Sequence, residues 1–213
     1  MSIRFSVIPV TSYQQNCSIL ICNQTNKAAI VDPGGDIELI LDVLADENAI
    51  PEVILVTHGH LDHIGGVAEL ASKLSIPIEG PQIEDQFWID SIPSQIQTFG
   101  FPPCETFTPT HWLNDGDTVK VGEQTINVIH CPGHTPGHII FFHQESKLAV
   151  VGDVLFNGSI GRTDFPKGNF DTLISSIKNK LWPLGKSVKF IPGHGPMSTF
   201  GEEMNNNPFV KVA

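Results

Sequence analysis

Long apolar runs are missing from this chain. No stretch of about 18 apolar residues occurs among its 213 residues, so no transmembrane helix is expected. Positive charge is scarce as well. Twelve Lys and Arg stand against 23 Asp and Glu, the net charge is −11, and the two arginines are Arg4 and Arg162. A surface of that sign repels phosphate backbones, so nucleic acid is not an expected partner. The four cysteines, Cys17, Cys22, Cys104 and Cys131, form no C-x-x-C pair. The opening MSIRFSVIPV has no basic start followed by a long apolar stretch, so it reads as a strand and not a signal peptide. Disulfides are then not expected, the cytoplasm is the expected compartment, and the cysteines read as small buried hydrophobes.

What is present is enough apolar residue for a core, and many shaped loops. Hydrophobic residues make up 40%, too many for a disordered chain. The 19 Gly and 16 Pro follow no period, so they mark turns and not a fibre. With no linker or low-complexity segment in view, residues 1–213 are expected to form a single domain.

Short strands rich in Ile and Val are predicted over residues 4–11, 18–22 and 27–32. Asp36 is predicted to cap a helix with Ile37, Ile40, Leu41 and Leu44 on one face. Residues 52–57 (EVILVT) read as a strand buried on both faces. A helix over 65–74 uses Val67, Leu70, Ala71 and Leu74, a short strand covers 77–79, and a further helix covers 83–92. Residues 93–115 carry Pro93, Pro102, Pro103 and Pro109 and read as a long surface loop. Closely spaced strands at 118–121, 125–131, 138–143 and 147–152 suggest a meander. A Gly-rich loop over 156–169, a helix over 171–181 and a last strand over 187–191 complete the chain. The pattern predicts two sheets packed face to face with helices outside.

The chemistry concentrates in His58-Gly-His60-Leu-Asp62-His63. His58 and His60 leave a strand end two residues apart, so both rings can point to one side. Gly59 between them lets the backbone turn. Three imidazoles and a carboxylate within six residues form a metal donor set, and nine His in 213 residues would not cluster so by chance. Later strands feed similar residues: His134 in CPGHTPGH, Asp153 in VVGD and His194 in IPGHG. One sheet edge can collect them all.

This series resembles that of the metallo-β-lactamase superfamily: H-x-H-x-D-H, a His in a GHTPG context, an Asp and a final His. The resemblance covers essentially the whole chain. It implies an αββα sandwich with a metal site at one edge of the two sheets. It further implies two divalent metals, zinc first with iron or manganese also suited. His58, His60 and His134 would hold one, Asp62, His63 and His194 the other, and Asp153 would bridge them, about 3.5–4 Å apart. Such metals bring the pKa of bound water near 7, so the implied nucleophile is a metal-bound hydroxide, with Asp62 orienting it.

Within the superfamily, THGHLDH, CPGHTPGHIIFF, GDVLF and IPGHGP look most like the single-domain bacterial relatives of glyoxalase II, the YcbL type. The implied activity is hydrolysis of S-acylglutathione thioesters such as S-D-lactoylglutathione. Two alternatives remain open: a mononuclear iron persulfide dioxygenase, whose loop resembles Gly161-Arg162-Thr163-Asp164-Phe165, and a non-catalytic metal-binding partner domain. The penicillin-cleaving members generally carry Cys or Ser where Asp153 stands. Full-length glyoxalase II ends in a helical domain that grips glutathione, and residues 195–213 are too few for it. Arg162 and Lys167 are therefore the candidate substrate cations. The other reading of Arg162 is a loop residue paired with Asp164 or a carbonyl. His138 reads as a supporting residue and not a ligand. His111, His130 and His143 have no motif around them. Trp88, Trp112 and Phe99 are expected to serve packing.

Overall fold

The computed structural model describes residues 2–212, and the side chain of Phe99 lies outside that description. The chain opens with β1 (Ile3–Val10), β2 (Gln15–Cys22) and β3 (Lys27–Val31), followed by helix α1 (Ile37–Asp46) and β4 (Ile50–Leu55). Two short helices, α2 (Leu61–Ile64) and α3 (Val67–Leu74), and strand β5 (Ile78–Glu79) follow. These five strands form one sheet in the order β1-β2-β3-β4-β5, antiparallel through β3 and parallel from β3 to β5. Helices α4 (Gln86–Asp90) and α5 (Ile92–Phe99) precede the second half.

That half contains β6 (Thr118–Val121), β7 (Gln124–His130), β8 (Ile139–His143) and β9 (Leu148–Gly152), then a hairpin of β10 (Leu155–Phe156) and β11 (Ser159–Ile160). Helix α6 (Phe170–Ser176) continues into wider π turns over Ile177–Leu181. Strands β12 (Lys189–Pro192) and β13 (Ser198–Thr199) and helix α7 (Phe200–Asn206) end the fold. The second sheet runs β13-β12-β9-β8-β7-β6.

Side-chain alternation assigns each strand two buried faces. In β2, Leu20 points between the sheets while Ile19 and Ile21 point to the outer helices. In β9, Leu148 and Val150 face the first sheet while Ala149 and Val151 face α6. Three apolar layers result. One packs the first sheet on α1, α2 and α3, one lies between the sheets, and one packs the second sheet on α6 and α7. This is the αββα sandwich that the pattern predicts. Among the described residues, no helix is long and apolar enough to cross a membrane.

Four local expectations need correction. Residues 93–99, expected as loop, belong to α5, because Pro93 sits in the first turn, where its missing N–H costs nothing. The helix expected over 83–92 divides into a single 3₁₀ turn (Ile83–Asp85), α4 and the start of α5. The helix expected over 65–74 begins at Val67 and is preceded by α2. Asp36 makes no cap; at φ 50° it turns away, and its carboxylate accepts from Thr11 N–H at 2.6 Å.

Candidate metal centre

Strand direction explains why the distant motifs meet. Strand β7 is antiparallel to β8, β8 antiparallel to β9, and β9 parallel to β12. Strands β7, β9 and β12 therefore end at one edge, where His134, Asp153 and His194 follow them. In the first sheet, β4 ends just before His58 and His60. The structure brings all seven predicted donor residues to that edge. The donor atoms of His58, His60 and His134 lie within 4.8 Å of one another, as do those of Asp62, His63 and His194. Asp153 stands between the two groups. Its Oδ1 is 3.4 Å from His63 Nε2, and its Oδ2 is 3.5 Å from His134 Nε2 and 3.8 Å from His194 Nε2.

Hydrogen bonds behind the rings fix which nitrogen faces inward. His63 Nδ1–H donates to Asp32 at 2.9 Å, with Gln15 Nε2 also nearby at 3.3 Å. His134 Nδ1–H donates to the Arg162 carbonyl at 2.7 Å, and His194 Nδ1–H to the Tyr13 carbonyl at 3.2 Å. His58 Nδ1 meets Thr57 Oγ1 at 3.0 Å, and that hydroxyl donates to Asp32 at 2.6 Å. Each of these four histidines thereby turns its Nε2 toward the centre, as metal-binding imidazoles do. His60 turns its Nδ1, which lies 2.9 Å from His134 Nε2.

Against burial, the neighbouring carboxylates of Asp62 and Asp153 raise His63 and His194, positive charge that a divalent cation would replace. Burial keeps His58 and His134 neutral, and burial with His134 nearby pushes His60 down to about 3. Burial opposes the charge on Asp153, but the neighbouring His63, itself raised, holds its carboxyl far below the usual range. Asp62 is likewise lowered against burial by His63 and His194. Among the seven candidate ligands, the buried atoms without hydrogen-bond partners are His58 Nε2, His60 Nε2, His63 Nε2 and Asp153 Oδ1. Unpartnered buried acceptors of this kind are costly. Inward lone pairs and two carboxylates are the donors that a divalent cation requires.

Two glycines make room. A Cβ on Gly193 would collide with Asp153 Oδ1 and His63 Cε1. A Cβ on Gly59 would stand 2.6 Å from Trp88 Cβ. Close approach to Trp88 therefore accounts for this glycine.

Several supporting residues escaped the sequence reading. Asp85 is fully buried and joins the two His-bearing loops: Oδ1 accepts from Gly137 N–H at 2.6 Å, and Oδ2 from Gly59 N–H at 2.9 Å and the Thr135 hydroxyl at 2.7 Å. Asn16 Nδ2 donates to the Pro192 and Gly195 carbonyls at 3.0 and 2.8 Å, which pins the loop of His194. Asp32, at φ 51°, orients His63 and His58. None of these has a local signature, since each acts across at least 25 residues of chain.

Other expectations resolve as follows. His138 stacks on His58 with ring centroids 4.6 Å apart, and its Nε2 accepts from Asp153 N–H at 3.1 Å. It supports the centre from behind. His130 contacts the Pro136 carbonyl and His143 contacts Gln124. The exposed His111 lies 3.7 Å from Glu79. All four cysteines are free thiols, three buried and Cys104 half-buried. Trp112 packs in the helix-side core, while Trp88 both packs and lines the cleft, contrary to its expected role. Phe99 falls on a side chain outside the described residues. Arg162 lines the cleft but is bonded to both oxygens of Asp164, at 2.7 and 2.6 Å, and lies 4.1 Å over Phe165. Lys167 stands 4.0 Å over the Phe87 ring and is not among the cleft-lining residues.

Comparison with known proteins agrees with this architecture. The chain is 45% identical over 205 residues to a Haemophilus influenzae protein named hydroxyacylglutathione hydrolase GloC, covering 96% of each. It superposes with a TM-score of 0.90 on BLEG-1, described as a B3 metallo-beta-lactamase, at 36% identity over 98% of this chain and 100% of that one. A di-iron-bound form of TTHA1623 superposes with a TM-score of 0.88 at 31% identity, covering 96% and 100%. The sequence profile of the metallo-beta-lactamase superfamily matches residues 10–194, a span that takes in every one of the seven donors. The chain belongs to the metallo-beta-lactamase superfamily.

Proposed function

We propose that this protein hydrolyses S-acylglutathione thioesters such as S-D-lactoylglutathione, using two divalent cations. The observation that carries the reading is the convergence of two three-residue donor groups, with Asp153 between them, on one cleft. His58, His60 and His134 would hold one cation, Asp62, His63 and His194 the second, and Asp153 would touch both. Zinc suits the imidazole-rich set, and iron or manganese suits it too. Bound there, such cations lower the pKa of water toward 7 and polarise the substrate carbonyl.

The chain's own residues do the remaining work. Asp62 Oδ2 is 3.1 Å from His194 Nε2 and is placed to orient the attacking water. The cleft walls hold the acyl group and limit water. Arg162 is the cation available for a glutathione carboxylate, once it exchanges Asp164 for the substrate. A thiol of pKa about 8.5 leaves as thiolate without a dedicated acid. The 45% identity to a hydroxyacylglutathione hydrolase supports this substrate class. The dioxygenase alternative needs a single iron and would leave Asp62, His63 and His194 converging without a purpose.

The test is purified protein assayed on S-D-lactoylglutathione with elemental analysis alongside. The expected result is thioester cleavage with about two metals per chain, lost on chelation and restored by zinc, iron or manganese. Oxygen uptake with glutathione persulfide at one iron per chain would overturn the reading.

A further inference from the structure

We propose that the cleft beside the donor groups contains an aromatic subsite for the acyl group, so that its best substrates are thioesters with an apolar acyl chain. This rests on the thioesterase reading above and names the substrate class within it. The cleft has a volume of about 480 Å³, and rings stand at both donor groups. Near His194, whose Nδ1–H bonds the Tyr13 carbonyl, Tyr13 stacks on Phe101 with centroids 5.7 Å apart. Phe156 lies 6.2 Å from the His194 ring. Near His60, Trp88 and Phe165 lie 4.5 and 5.1 Å from that ring. Tyr13 is 44% exposed and lines the cleft.

Polar partners away from the donors are few. Gln95 is engaged by Leu61 N–H, the Trp88 carbonyl and Ser91 Oγ. Arg162 is neutralised by Asp164. A hydroxyacyl group as small as lactoyl would leave most of the rings uncovered, with Ser159 and the unpartnered Trp88 Nε1–H as the groups its hydroxyl could meet. An apolar chain would cover the Tyr13–Phe101 pair and displace water from it. In the reaction, the oxygen of water bonds to the acyl carbon and the C–S bond breaks with its electron pair on sulfur. One proton of the water ends on the departed thiolate, the other is released from the new carboxylic acid, and no oxidant or reductant is involved.

Calorimetry of the metal-loaded protein with the uncleavable thioethers S-methyl-, S-butyl- and S-hexylglutathione tests the subsite directly. The dissociation constant should fall about 2- to 4-fold per methylene. Tyr13→Ala should flatten that slope while changing the S-methyl affinity less than 2-fold, and Phe156→Ala gives a second reading at the other ring. In turnover, kcat/KM for S-hexanoylglutathione should exceed that for S-D-lactoylglutathione at least 10-fold. Equal affinity across the series, or a slope unchanged in both variants, overturns the subsite. A rising affinity without cleavage of any thioester leaves the subsite standing and refutes the thioesterase reading. Cleavage with a flat affinity series does the reverse.

Discussion

Replacing Asp85 by Ala should loosen the metal centre without touching a single donor residue. The Asp85 carboxylate is the acceptor for Gly59 N–H, between His58 and His60, and for Thr135 Oγ and Gly137 N–H, just past His134. Alanine leaves two amides and a hydroxyl without that acceptor in a buried place. Each loss costs about 1–3 kcal/mol, so about 3 kcal/mol is a low total. For a chain of this size that corresponds to a fall in Tm of about 6–12 °C. The loss should appear in metal-free protein, because the bonds lie behind the rings and not at the cation. Metal occupancy at sub-saturating concentration should fall in parallel, since His58 and His60 lose their fixed angle to His134. Thermal unfolding of stripped and loaded protein, with elemental analysis of each, checks both parts. A variant that melts within 2 °C of the parent and retains its metals would refute the idea that Asp85 couples the two loops.

The same carboxylate predicts a pH effect. Burial lifts Asp85 to about 6, against an unfolded value near 3.9, so the folded state takes up the proton first as pH falls. Stability relative to Asp85→Asn should therefore move in favour of the parent by about 2 kcal/mol between pH 7 and pH 4, as read by denaturant midpoints of the metal-free proteins. Asp153→Ala should lower metal content more than any single His→Ala, because it removes a carboxylate shared by both donor groups; equal metal content in mutant and parent would contradict this. Arg162→Ala should raise KM for S-D-lactoylglutathione about 10-fold or more with metals retained, and spare a small uncharged thioester. Asp164→Asn should lower that KM by freeing the guanidinium; if both substrates respond equally to Arg162→Ala, Arg162 is a structural loop residue.

The architecture was legible because its signals are local. The continuous apolar run at residues 52–57 declares a strand with two buried faces, and such a strand requires layers on both sides. The convergence of the candidate donors was legible for a related reason. His58, His60, Asp62 and His63 lie within one turn of chain, and His134, Asp153 and His194 each follow a strand end. The helix α5 was missed because Pro93 reads as a breaker until its position within the helix is known. Asp85 and Asn16 were missed because their partners are 26 to 179 residues away, and an Asp beside Glu84 looks like any exposed acidic pair.

Arg162 shows where composition misleads. In a chain of charge −11, an arginine beside the donors looks like an anion grip, since any anionic substrate needs local positive charge. The sequence also contains its neutraliser two residues on, but only the loop's shape brings Asp164 round to bond both Nε and Nη2 and lays the guanidinium on Phe165. An exposed pair of this kind is worth about 0–1 kcal/mol, so a ligand carboxylate can exchange with it readily. Arg162 is thus a conditional contact, open to a carboxylate that arrives already held elsewhere in the cleft. The rings of Phe101 and Trp88 need no such exchange. Anchoring by the acyl group first and by charge second follows from that difference, and it makes the acyl chain, more than the glutathione moiety, the part of the substrate that sets selectivity.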